Sequence, residues 1–587
     1  MNKTQKFSLI ALNSKYIHSN LAVRYIKAYL KKYNIDVNIL EFSINDSFDN
    51  IIKHIYLSKS SVLGFSCYIW NREMIMKLGP SLKKIMPDTK IVLGGPEISY
   101  DMKSTMEENP WIDFIIYGEG EETFYEFANS YLSGDKNYEN INGLAYRQDN
   151  RIYINKPRKP IYDLDTIPFP YDDCDYPENK IIYYETSRGC PFQCQYCLSS
   201  VDPGVRYFSL DRVFQDIDVL ISNNIKQVKL VDRTFNCNKE RSIKIMEYIL
   251  SKKGSTNFHF EISAKLIDPE FLALIKKAPK GLFQFEIGVQ STNNDTLKAI
   301  TRNESFDDIK DNIAELINMG NCHIHLDLIA GLPFEDIKSF IKSFNDVFSL
   351  KPHMLQLGFL KLLRGSKLRL DAEKYGIVYN QHPPYEVLST KHLSYDDILL
   401  LKAVEELVEI YNNSGRFSKS LNYLIKNHYG DPFKFFQDLY TFYAELNVLD
   451  RPIKVTEHYE LLYKFVEKNI GISTTFNELL KYDFFVSIGG NMPQCIKRFN
   501  NSKIKNWVTQ FLKNEEAITK YMPEFKNMDI RQKLKFIRFE IFEGDIFDAS
   551  SSKSQKKIVL YIKNPMDNKD GRTLPFDIVE FKSLASM

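Results

Sequence analysis

Apolar runs alternate with amphipathic segments through the N-terminal part of the chain. Between the runs, residues such as Leu21, Tyr25 and Tyr29 recur at helical spacing. Largely apolar strands that alternate with helices predict a parallel sheet covered on both faces, in a doubly wound, Rossmann-like α/β domain that we assign to residues 1–135. The predicted strands are residues 7–12, 37–42, 62–66, 91–93 and 114–117.

Residues 136–175 do not follow this pattern. Residues 141–146 and 151–154 alternate around a polar turn, which predicts a β-hairpin. Four prolines then lie between Pro157 and Pro170. Because proline at this density disfavours both helix and sheet, the segment predicts an extended crossover and a domain boundary.

Strand–helix alternation resumes at residue 176 and continues to residue 372. Residues 210–221 and 306–319 are examples of the predicted helices. Strand–helix units in succession predict a parallel β/α barrel of the TIM type, complete or partial, with its ligand site at the carboxyl ends of the strands. The predicted strands are residues 181–187, 228–231, 259–262, 282–290, 323–329 and 354–359.

The alternation stops in residues 373–587, which we predict to be a mainly α domain with a small β element. An apolar stripe predicts an amphipathic helix over residues 394–411, with Ser394 as its N-cap and Asp397 near position N3. The abundant aromatic residues are typical of a packed core. Further predicted helices are residues 421–426, 432–446 and 457–469, and the predicted paired strands are residues 534–542 and 557–562.

Composition excludes several classes of protein. A chain of 587 residues with 44% hydrophobic and 26% charged residues is globular and too long for one core. A net charge of +2 gives no sign of a nucleic-acid or membrane surface. The N-terminus lacks the apolar length of a signal peptide, and no uncharged apolar stretch reaches the about 18 residues needed to span a membrane. We therefore expect a cytoplasmic protein.

The eight cysteines do not form a disulfide framework in so long a chain. Five of them are scattered, and we interpret them as small buried side chains or free thiols. Cys495 is also a candidate for a thiol on the substrate side. The five are Cys67, Cys174, Cys237, Cys322 and Cys495.

The other three cysteines, Cys190, Cys194 and Cys197, form the spacing C-x3-C-x2-C directly after the first predicted barrel strand. A structural zinc site needs four protein ligands, and no fourth Cys or His lies close by in the sequence. Three thiolates on an iron–sulfur cube leave one iron free to bind a substrate. We predict a [4Fe-4S] cluster at the barrel mouth, with a zinc or structural site as the alternative.

Polar residues mark the ends of the other barrel strands. A single carboxylate in a strand is usually a partnered core or salt-bridge residue. Acids, an amide and an arginine on successive strand ends instead predict one polar pocket. These residues are Asp232, Thr234, Glu261, Glu286, Gln290, Arg302 and Asp327.

The three-cysteine motif, with Tyr196 before its last cysteine, resembles the signature of the radical S-adenosylmethionine (SAM) superfamily. Residues 286–291 and 327–333 resemble the subgroup shared with oxygen-independent coproporphyrinogen oxidase and the methylthiotransferases. The resemblance implies that an electron from the cluster cleaves SAM to methionine and a 5′-deoxyadenosyl radical. It also implies an electron donor such as flavodoxin or ferredoxin.

The same resemblance implies roles for individual residues. Gln290 and Asp327 would contact the adenosine ribose, with Glu261 beside them, and Arg302 would pair with the methionine carboxylate. The segment from Asp232 to Thr234 stands where the superfamily has the G-G-E motif that receives the methionine amino group. The segment departs from that motif.

Small residues follow the strands of the first domain: Ser66, then Gly94 and Gly95, then Gly118, Glu119 and Gly120. Glycine lets a bulky ligand approach the backbone closely. The spacing resembles the cobalamin-binding domain shared with methionine synthase and many radical enzymes, where the serine and paired glycines flank the nucleotide tail. The cobalt-ligating D-x-H-x-x-G of that family is absent, and His18 stands at the wrong offset. If cobalamin binds, we expect its lower face to lack a histidine.

The order of these domains predicts a cobalamin-dependent radical SAM enzyme, and specifically a methyltransferase acting on an unactivated carbon of a small-molecule or peptide substrate. One alternative is a radical rearrangement, cyclisation or oxidation, with cobalamin non-methylating or absent. The other is a non-catalytic cobalamin or redox sensor. By analogy with such enzymes, residues 373–587 would serve as a specificity and lid domain.

Overall fold

The computed structural model describes residues 6–581 except 136, 172–175, 177–178, 202–203, 450, 498–503, 544–545, 547–555, 564–570 and 578–579. Cys174 lies outside the described residues. The chain divides into two compact units, residues 1–399 and residues 400–587. In the part of the chain that the structure describes, no helix is both long enough and apolar enough to cross a membrane.

The strands of the described residues fall into one large mixed sheet, one large parallel sheet and three small antiparallel sheets. They are β1 (Phe7–Asn13), β2 (Val37–Ser43), β3 (Val62–Ser66), β4 (Lys90–Gly94), β5 (Phe114–Ile116), β6 (Leu144–Gln148), β7 (Arg151–Ile154), β8 (Ile182–Tyr184), β9 (Ser187–Cys190), β10 (Gly204–Tyr207), β11 (Gln227–Leu230), β12 (Asn257–Glu261), β13 (Phe283–Gln290), β14 (His323–Ala330), β15 (Met354–Phe359), β16 (Val378–Tyr379), β17 (Val387–Ser389), β18 (Ile537–Glu543), β19 (Lys556–Lys563) and β20 (Gly571–Asp577).

The α-helices separate the strands in the first unit and dominate the second. They are α1 (Leu21–Lys31), α2 (Phe48–Leu57), α3 (Arg72–Ile85), α4 (Met102–Glu108), α5 (Glu121–Ser133), α6 (Leu210–Ser222), α7 (Lys239–Ser251), α8 (Pro269–Ile275), α9 (Asn294–Ala299), α10 (Phe306–Met319), α11 (Ile337–Ser349), α12 (Lys367–Leu370), α13 (Tyr395–Val408), α14 (Ser418–Leu424), α15 (Pro432–Glu445), α16 (Val455–Asn469), α17 (Thr474–Ser487), α18 (Ile504–Lys513), α19 (Glu515–Tyr521) and α20 (Ile530–Phe536).

The first sheet has the strand order β2-β1-β3-β4-β5-β6-β7, in which the first five strands are parallel. Alternate residues of β1 enter different cores: Ile10 packs with the side chains of α2 and α3, and Leu9 packs with those of α1 and α5. This confirms the predicted doubly wound α/β domain. The predicted hairpin, β6 and β7, continues the same sheet because β6 pairs antiparallel with β5.

The second sheet has six parallel strands in the order β15-β14-β13-β12-β11-β8, which confirms the predicted partial barrel. In β13, Phe283, Phe285 and Ile287 are buried, whereas the alternating Glu286 and Gly288 are partly exposed and line a cavity. The two-residue period of a strand therefore separates the hydrophobic core from the polar interior of the barrel.

The prediction of the first barrel strand, residues 181–187, is wrong at the carboxyl end of the strand. It stops at Tyr184, and residues from Ser187 to Cys190 form β9, which pairs antiparallel with β10. We call β9 and β10 the cysteine ribbon. Gly189 has a φ of +101°, and a Cβ there would lie 2.0 Å from the carbonyl oxygen of Gly204. Only glycine permits so close an approach of the two strands.

The C-terminal unit is mainly helical, as predicted, with a small antiparallel sheet of β18, β19 and β20. The predicted pairing of its first two strands is confirmed, but the first does not begin at residue 534. Residues Leu534 to Phe536 belong to α20, whose start is set by a capping box of Asp529 and Gln532. The predicted aromatic core is confirmed for the buried residues Phe433, Phe435, Phe436, Phe442 and Tyr443.

Candidate active site

The carboxyl ends of the barrel strands surround a cavity of about 520 Å³. Its wall is formed by the cysteine loop on one side and by the ends of β12, β13 and β14 on the other. Most of the residues predicted from the sequence for this site therefore lie on one surface. They are Cys190, Cys194, Cys197, Thr234, Glu261, Gln290, Arg302 and Asp327.

The three cysteines reach the cavity from two kinds of backbone. Cys190 ends β9, and its Sγ lies 3.7 Å from the hydroxyl of Thr234. Cys194 and Cys197 follow in a turn in which the Cys197 amide donates to the Cys194 carbonyl at 3.1 Å. All three are free thiols. Among the described residues, no histidine and no fourth cysteine lines this cavity. The donor set fits a cluster with an open position better than a closed zinc tetrahedron.

Buried polar atoms without partners surround the same cavity. Gln290 Oε1, Arg302 Nε and Asp327 Oδ1 have no hydrogen bond within the described part of the chain. Burial raises the pKa of Asp327 well above its ordinary value, and the nearby carboxylates of Glu286 and Glu261 raise it further. Because buried polar groups in native proteins are nearly always paired, these atoms fit the binding of a polar ligand such as SAM.

Gln290 reaches the cavity through an unusual backbone conformation. Its φ is +69°, in the left-handed region, and the pairing of β13 with β14 shifts register between Gly288 and Gln290. A Cβ at Gly288 would lie 2.0 Å from Nε2 of the Gln290 side chain. The bulge and the glycine together turn the amide into the cavity, which is a frequent use of bulges next to ligand sites.

Arg302 is less free than the sequence predicted. Its guanidinium pairs with Glu304 at 2.5 Å, donates to the carbonyl of Gly288, and lies 3.4 Å from the hydroxyl of Tyr196. Only Nε remains unpartnered among the described residues. Sequence reasoning missed Glu304 as the partner of this arginine. It also missed Arg233 as a second cation on the cavity wall, although Arg233 lies between two residues that were predicted.

A row of charged side chains crosses the barrel interior beside the cavity. Lys229 Nζ lies 2.8 Å from Glu286 Oε2 and 3.6 Å from Glu261 Oε1. Burial opposes ionisation of Glu286, but the imidazole of His259, whose Nε2 lies 3.2 Å from Oε2, and the ammonium of Lys229 lower its pKa to about 2. Burial raises the pKa of Glu261. Of the two acids, Glu286 is therefore the one whose ionised form its surroundings stabilise more.

Asp232 does not line the cavity, contrary to the prediction. The residue is only 1% exposed. Its carboxylate accepts hydrogen bonds from the backbone amide and the hydroxyl of Thr186, at 2.9 and 2.6 Å, and from the hydroxyl of Ser187 at 2.5 Å. Those donors stand at the start of the cysteine ribbon. The carboxylate therefore anchors the ribbon.

The strand ends of the first sheet provide small, open positions. Gly95 has a φ of +114°, and a Cβ there would lie 2.5 Å from the carbonyl oxygen of Cys67. A Cβ at Gly118 would meet nothing within 4 Å, and one at Gly94 only the Ile116 carbonyl oxygen, at 3.7 Å. The backbone at Gly94 and Gly118 is thus open to a bulky planar ligand such as a corrin.

Side chains around these glycines have other partners. The hydroxyl of Ser66 accepts a hydrogen bond from the side-chain amide of Asn20 at 3.1 Å. A Cβ at Gly120 would touch Ile26 at 3.5 Å. His18 Nδ1 lies 2.7 Å from the hydroxyl of Tyr183 in the barrel, so its ring takes part in a contact with β8.

Glu119, which the sequence predicts to contact cobalamin, lies in an ion-pair network. Its two carboxylate oxygens pair with Arg206 at 2.7 Å and Arg188 at 3.3 Å and accept from the amide of Ile161 at 2.6 Å. Burial opposes ionisation, but the two arginines and the amide lower its pKa. Sequence reasoning missed both arginines because they are far from Glu119 along the chain.

In the described part of the first unit, the other thiols are not among the residues that line the cavity. Cys67 and Cys322 are buried, and Cys237 is partly buried, with its Sγ 3.4 Å from the hydroxyl of Tyr207. Cys495, the candidate for a substrate-side thiol, belongs to the C-terminal unit.

Comparison with known families divides the chain into three matched regions. Residues 8–128 match the B12 binding domain family, and residues 184–347 match the radical SAM superfamily. Residues 373–561 match a family described as a protein of unknown function (DUF4080).

Two curated relatives match about half of the chain. An uncharacterised methyltransferase of Pyrococcus horikoshii is 29% identical over 306 residues, which cover 49% of this chain and 65% of the relative. The cobalamin-dependent radical SAM methyltransferase TokK of Streptomyces tokunonensis is 26% identical over 308 residues, which cover 48% of this chain and 43% of TokK. The chain therefore spans less than two thirds of the length of these relatives.

Two solved structures share the fold. The cobalamin-dependent SAM radical enzyme OxsB, with aqua-cobalamin and SAM bound, has a TM-score of 0.55 at 15% identity, covering 89% of this chain and 85% of OxsB. The radical SAM methyltransferase TsrM of Kitasatospora setae has a TM-score of 0.53 at 15% identity, covering 64% of this chain and 80% of TsrM.

Proposed function

We propose that the protein is a cobalamin-dependent radical SAM methyltransferase acting on an unactivated carbon, because the chain belongs to the radical SAM superfamily and carries a B12-binding domain. The observation that carries this proposal is the cavity in which three free thiols face unpartnered polar atoms of Gln290, Arg302 and Asp327. The two curated relatives described above are named as methyltransferases.

Cys190, Cys194 and Cys197, which line the cavity, are assigned as the residues that would hold the [4Fe-4S] cluster. When bound, the cluster and SAM supply the radical that activates the substrate carbon, and cobalamin supplies the methyl group. The residues of the chain bind and orient these groups and exclude water around them.

We assign the SAM pocket to the far wall of the cavity. Asp327 has a raised pKa, and in its protonated form it can donate a hydrogen bond to a ribose oxygen, beside Gln290 and Glu261. Arg302, oriented by Glu304, and Arg233 provide two cations for the methionine carboxylate. Thr234 stands next to Cys190 and is assigned to the methionine end of SAM.

Cobalamin is assigned to the carboxyl edge of the first sheet, against Gly94, Gly95 and Gly118, with Ser66 and Gly120 nearby. Glu119 is left out of this set because its oxygens are already occupied. The ring of His18 is paired with Tyr183, in agreement with a cobalamin whose lower face lacks a histidine.

The domain limits 1–135, 136–175, 176–372 and 373–587 remain part of this proposal, with residues 373–587 as the specificity domain for a small-molecule or peptide substrate. An electron donor of the flavodoxin or ferredoxin type is proposed to reduce the cluster.

The test is anaerobic reconstitution of the full chain with iron, sulfide and cobalamin, followed by addition of SAM and reductant. We expect both 5′-deoxyadenosine and S-adenosylhomocysteine, measured by mass spectrometry. Cys194→Ala should lose the cluster signal in electron paramagnetic resonance and form no 5′-deoxyadenosine. Cys237→Ala is the matched control, because Cys237 does not line the cavity, and it should behave as the wild type.

Two outcomes would contradict the proposal in different ways. Release of 5′-deoxyadenosine without S-adenosylhomocysteine, in the presence of a substrate that is consumed, would exclude methyl transfer and favour a rearrangement, cyclisation or oxidation. An intact cluster that never cleaves SAM under strong reduction would favour a sensor.

A further inference from the structure

A buried arginine connects the cysteine ribbon to the first sheet. Arg188 lies in β9, two residues before Cys190, and its guanidinium is surrounded by three carboxylates. It lies 2.8 Å from Glu185, 3.3 Å from Glu119 and 2.5 Å from Glu121. Its side chain is only 13% exposed, and that of Glu121 only 6%. Two of the three carboxylates come from the segment at the carboxyl end of β5, on the side of the sheet that we assign to cobalamin.

The second strand of the ribbon reaches the same segment. Arg206 in β10 stands directly opposite Arg188 in the strand pairing. Its two terminal nitrogens lie 2.7 and 3.2 Å from the two carboxylate oxygens of Glu119. This two-point contact is the geometry in which arginine holds a carboxylate most rigidly. Glu119 therefore ties both strands of the ribbon to one segment of the first sheet.

The arrangement is more specific than a surface ion pair. The arginine side chains are 13% and 21% exposed and that of Glu119 is 19% exposed, so solvent screens the charges only partly. Arg188 also stacks over the ring of Tyr25 in α1, at 5.3 Å. The segment and the ribbon are thus held in one relative position by several contacts at once.

We propose that Glu119, Arg188 and Arg206 form a bridge that couples the cobalamin site to the cluster site. They are positioning residues: ordering of the ribbon by the bound cluster fixes the segment around Gly118, and binding of cobalamin at that segment orders the ribbon in return. Thermodynamic linkage requires the two effects on binding to be equal. The inference rests on the proposed function, because it places cobalamin beside this segment.

The coupling is measured as a ratio of two cobalamin dissociation constants. Full-length protein is titrated with hydroxocobalamin under anaerobic conditions, once with its cluster reconstituted and once after removal of iron by a chelator. We expect the wild type to bind cobalamin at least about fivefold more tightly with the cluster present, which is the lower end of the usual range for coupled sites. Glu119→Gln should bring this ratio close to one.

Four further variants complete the test. Arg206→Gln should lower the ratio like Glu119→Gln, and the double variant should lower it no further, because the two residues act through one contact. Arg206→Lys keeps the charge without the two-point contact and should give an intermediate ratio. Glu122→Gln is the matched control: Glu122 is three residues after Glu119, in α5, but it pairs with Arg158 at 3.0 Å and should leave the ratio unchanged. Circular dichroism checks that each variant is folded.

The failure of this inference is distinguishable from that of the proposed function. If the wild type binds neither cobalamin nor a cluster, the proposed function fails. If it binds both and the ratio is one, or if Glu119→Gln and Arg206→Lys keep the wild-type ratio, the bridge is overturned and the proposed function stands.

Discussion

Replacement of Asp232 by asparagine is expected to loosen the cysteine ribbon without weakening SAM binding. Asp232 is 1% exposed, and its carboxylate accepts three hydrogen bonds, two at Oδ1 from the hydroxyls of Thr186 and Ser187 and one at Oδ2 from the backbone amide of Thr186. Asparagine has the same shape but only one acceptor oxygen. If the asparagine oxygen still accepts hydrogen bonds from the two hydroxyls, the NH2 group of its side chain faces the backbone N–H of Thr186, so that two donors oppose each other.

The expected cost follows from these contacts. A hydrogen bond to a charged group contributes about 1.5–3 kcal/mol, and a buried donor without a partner costs about 1–3 kcal/mol. One lost bond and two weakened ones predict a loss of about 2–4 kcal/mol in the free energy of unfolding. In a domain of about 150–250 residues, each kcal/mol shifts the unfolding temperature by about 2–4 °C, so this loss lowers it by about 4–16 °C.

The assay separates the structural role from a role in binding SAM. The unfolding temperature is measured by scanning fluorimetry, and cluster retention by the decay of its visible absorbance in the presence of a chelator. SAM affinity is measured by equilibrium dialysis without reductant. Asp232→Asn should have a lower unfolding temperature and a faster loss of the cluster, and any cluster-containing fraction should bind SAM as the wild type does.

Asp216→Asn is the matched control. Asp216 is also a buried acid of the barrel, 4% exposed, and accepts hydrogen bonds from the hydroxyl of Tyr184 and from Arg212, both at 2.9 Å. It should lower the unfolding temperature without hastening cluster loss. The reasoning is refuted if Asp232→Asn keeps the wild-type unfolding temperature and cluster but loses about tenfold in SAM affinity, or about 1.4 kcal/mol.

Three further substitutions test other parts of the structure through the unfolding temperature. Gly95→Ala forces a Cβ to within 2.5 Å of the Cys67 carbonyl oxygen at a φ of +114°, so it should cost about 2 kcal/mol or more, and a neutral result would contradict the close approach. Glu335 is fully buried, and burial raises its pKa from 4.5 to about 7. Between these two pH values the folded state binds a proton that the unfolded state has lost, so the free energy of unfolding should fall by up to about 3 kcal/mol as pH rises from about 4.5 to 7. Glu335→Gln should remove that part of the pH dependence. Lys481→Met leaves the carboxylate of Glu478 buried without the ammonium that lies 2.6 Å away, which should lower the free energy of unfolding by about 3–5 kcal/mol. Adding Glu478→Gln should recover part of this loss. Equal unfolding temperatures for the single and double variants would argue against the ion pair.

Elements with a strong local pattern were predicted closely. The helix α10 and the strand β15 have the predicted bounds, since an amphipathic helix and a buried strand each bury their apolar residues at a fixed period. The cysteine ribbon was missed because its strands, β9 and β10, are short and half-exposed, without a hydrophobic period. The segment from Leu534 to Phe536 was predicted as strand because its residues alternate, but the capping box at Asp529 makes it helical.

The sequence by itself determined which groups the site can contain. The spacing of Cys190, Cys194 and Cys197 places three thiols on one short stretch of chain, and the order of strand and helix patterns predicts which strand ends meet at the cavity. These properties depend on residues that are near one another along the chain, so they can be read without the fold.

Only the tertiary structure decided which of those polar groups remain available. Glu119 and Arg206 are 87 residues apart and form an ion pair, and Asp232 and Ser187 are 45 residues apart and form a hydrogen bond. A carboxylate near a ligand site and a carboxylate used as an anchor look alike in sequence. Their difference lies in the long-range partners that burial obliges each one to find.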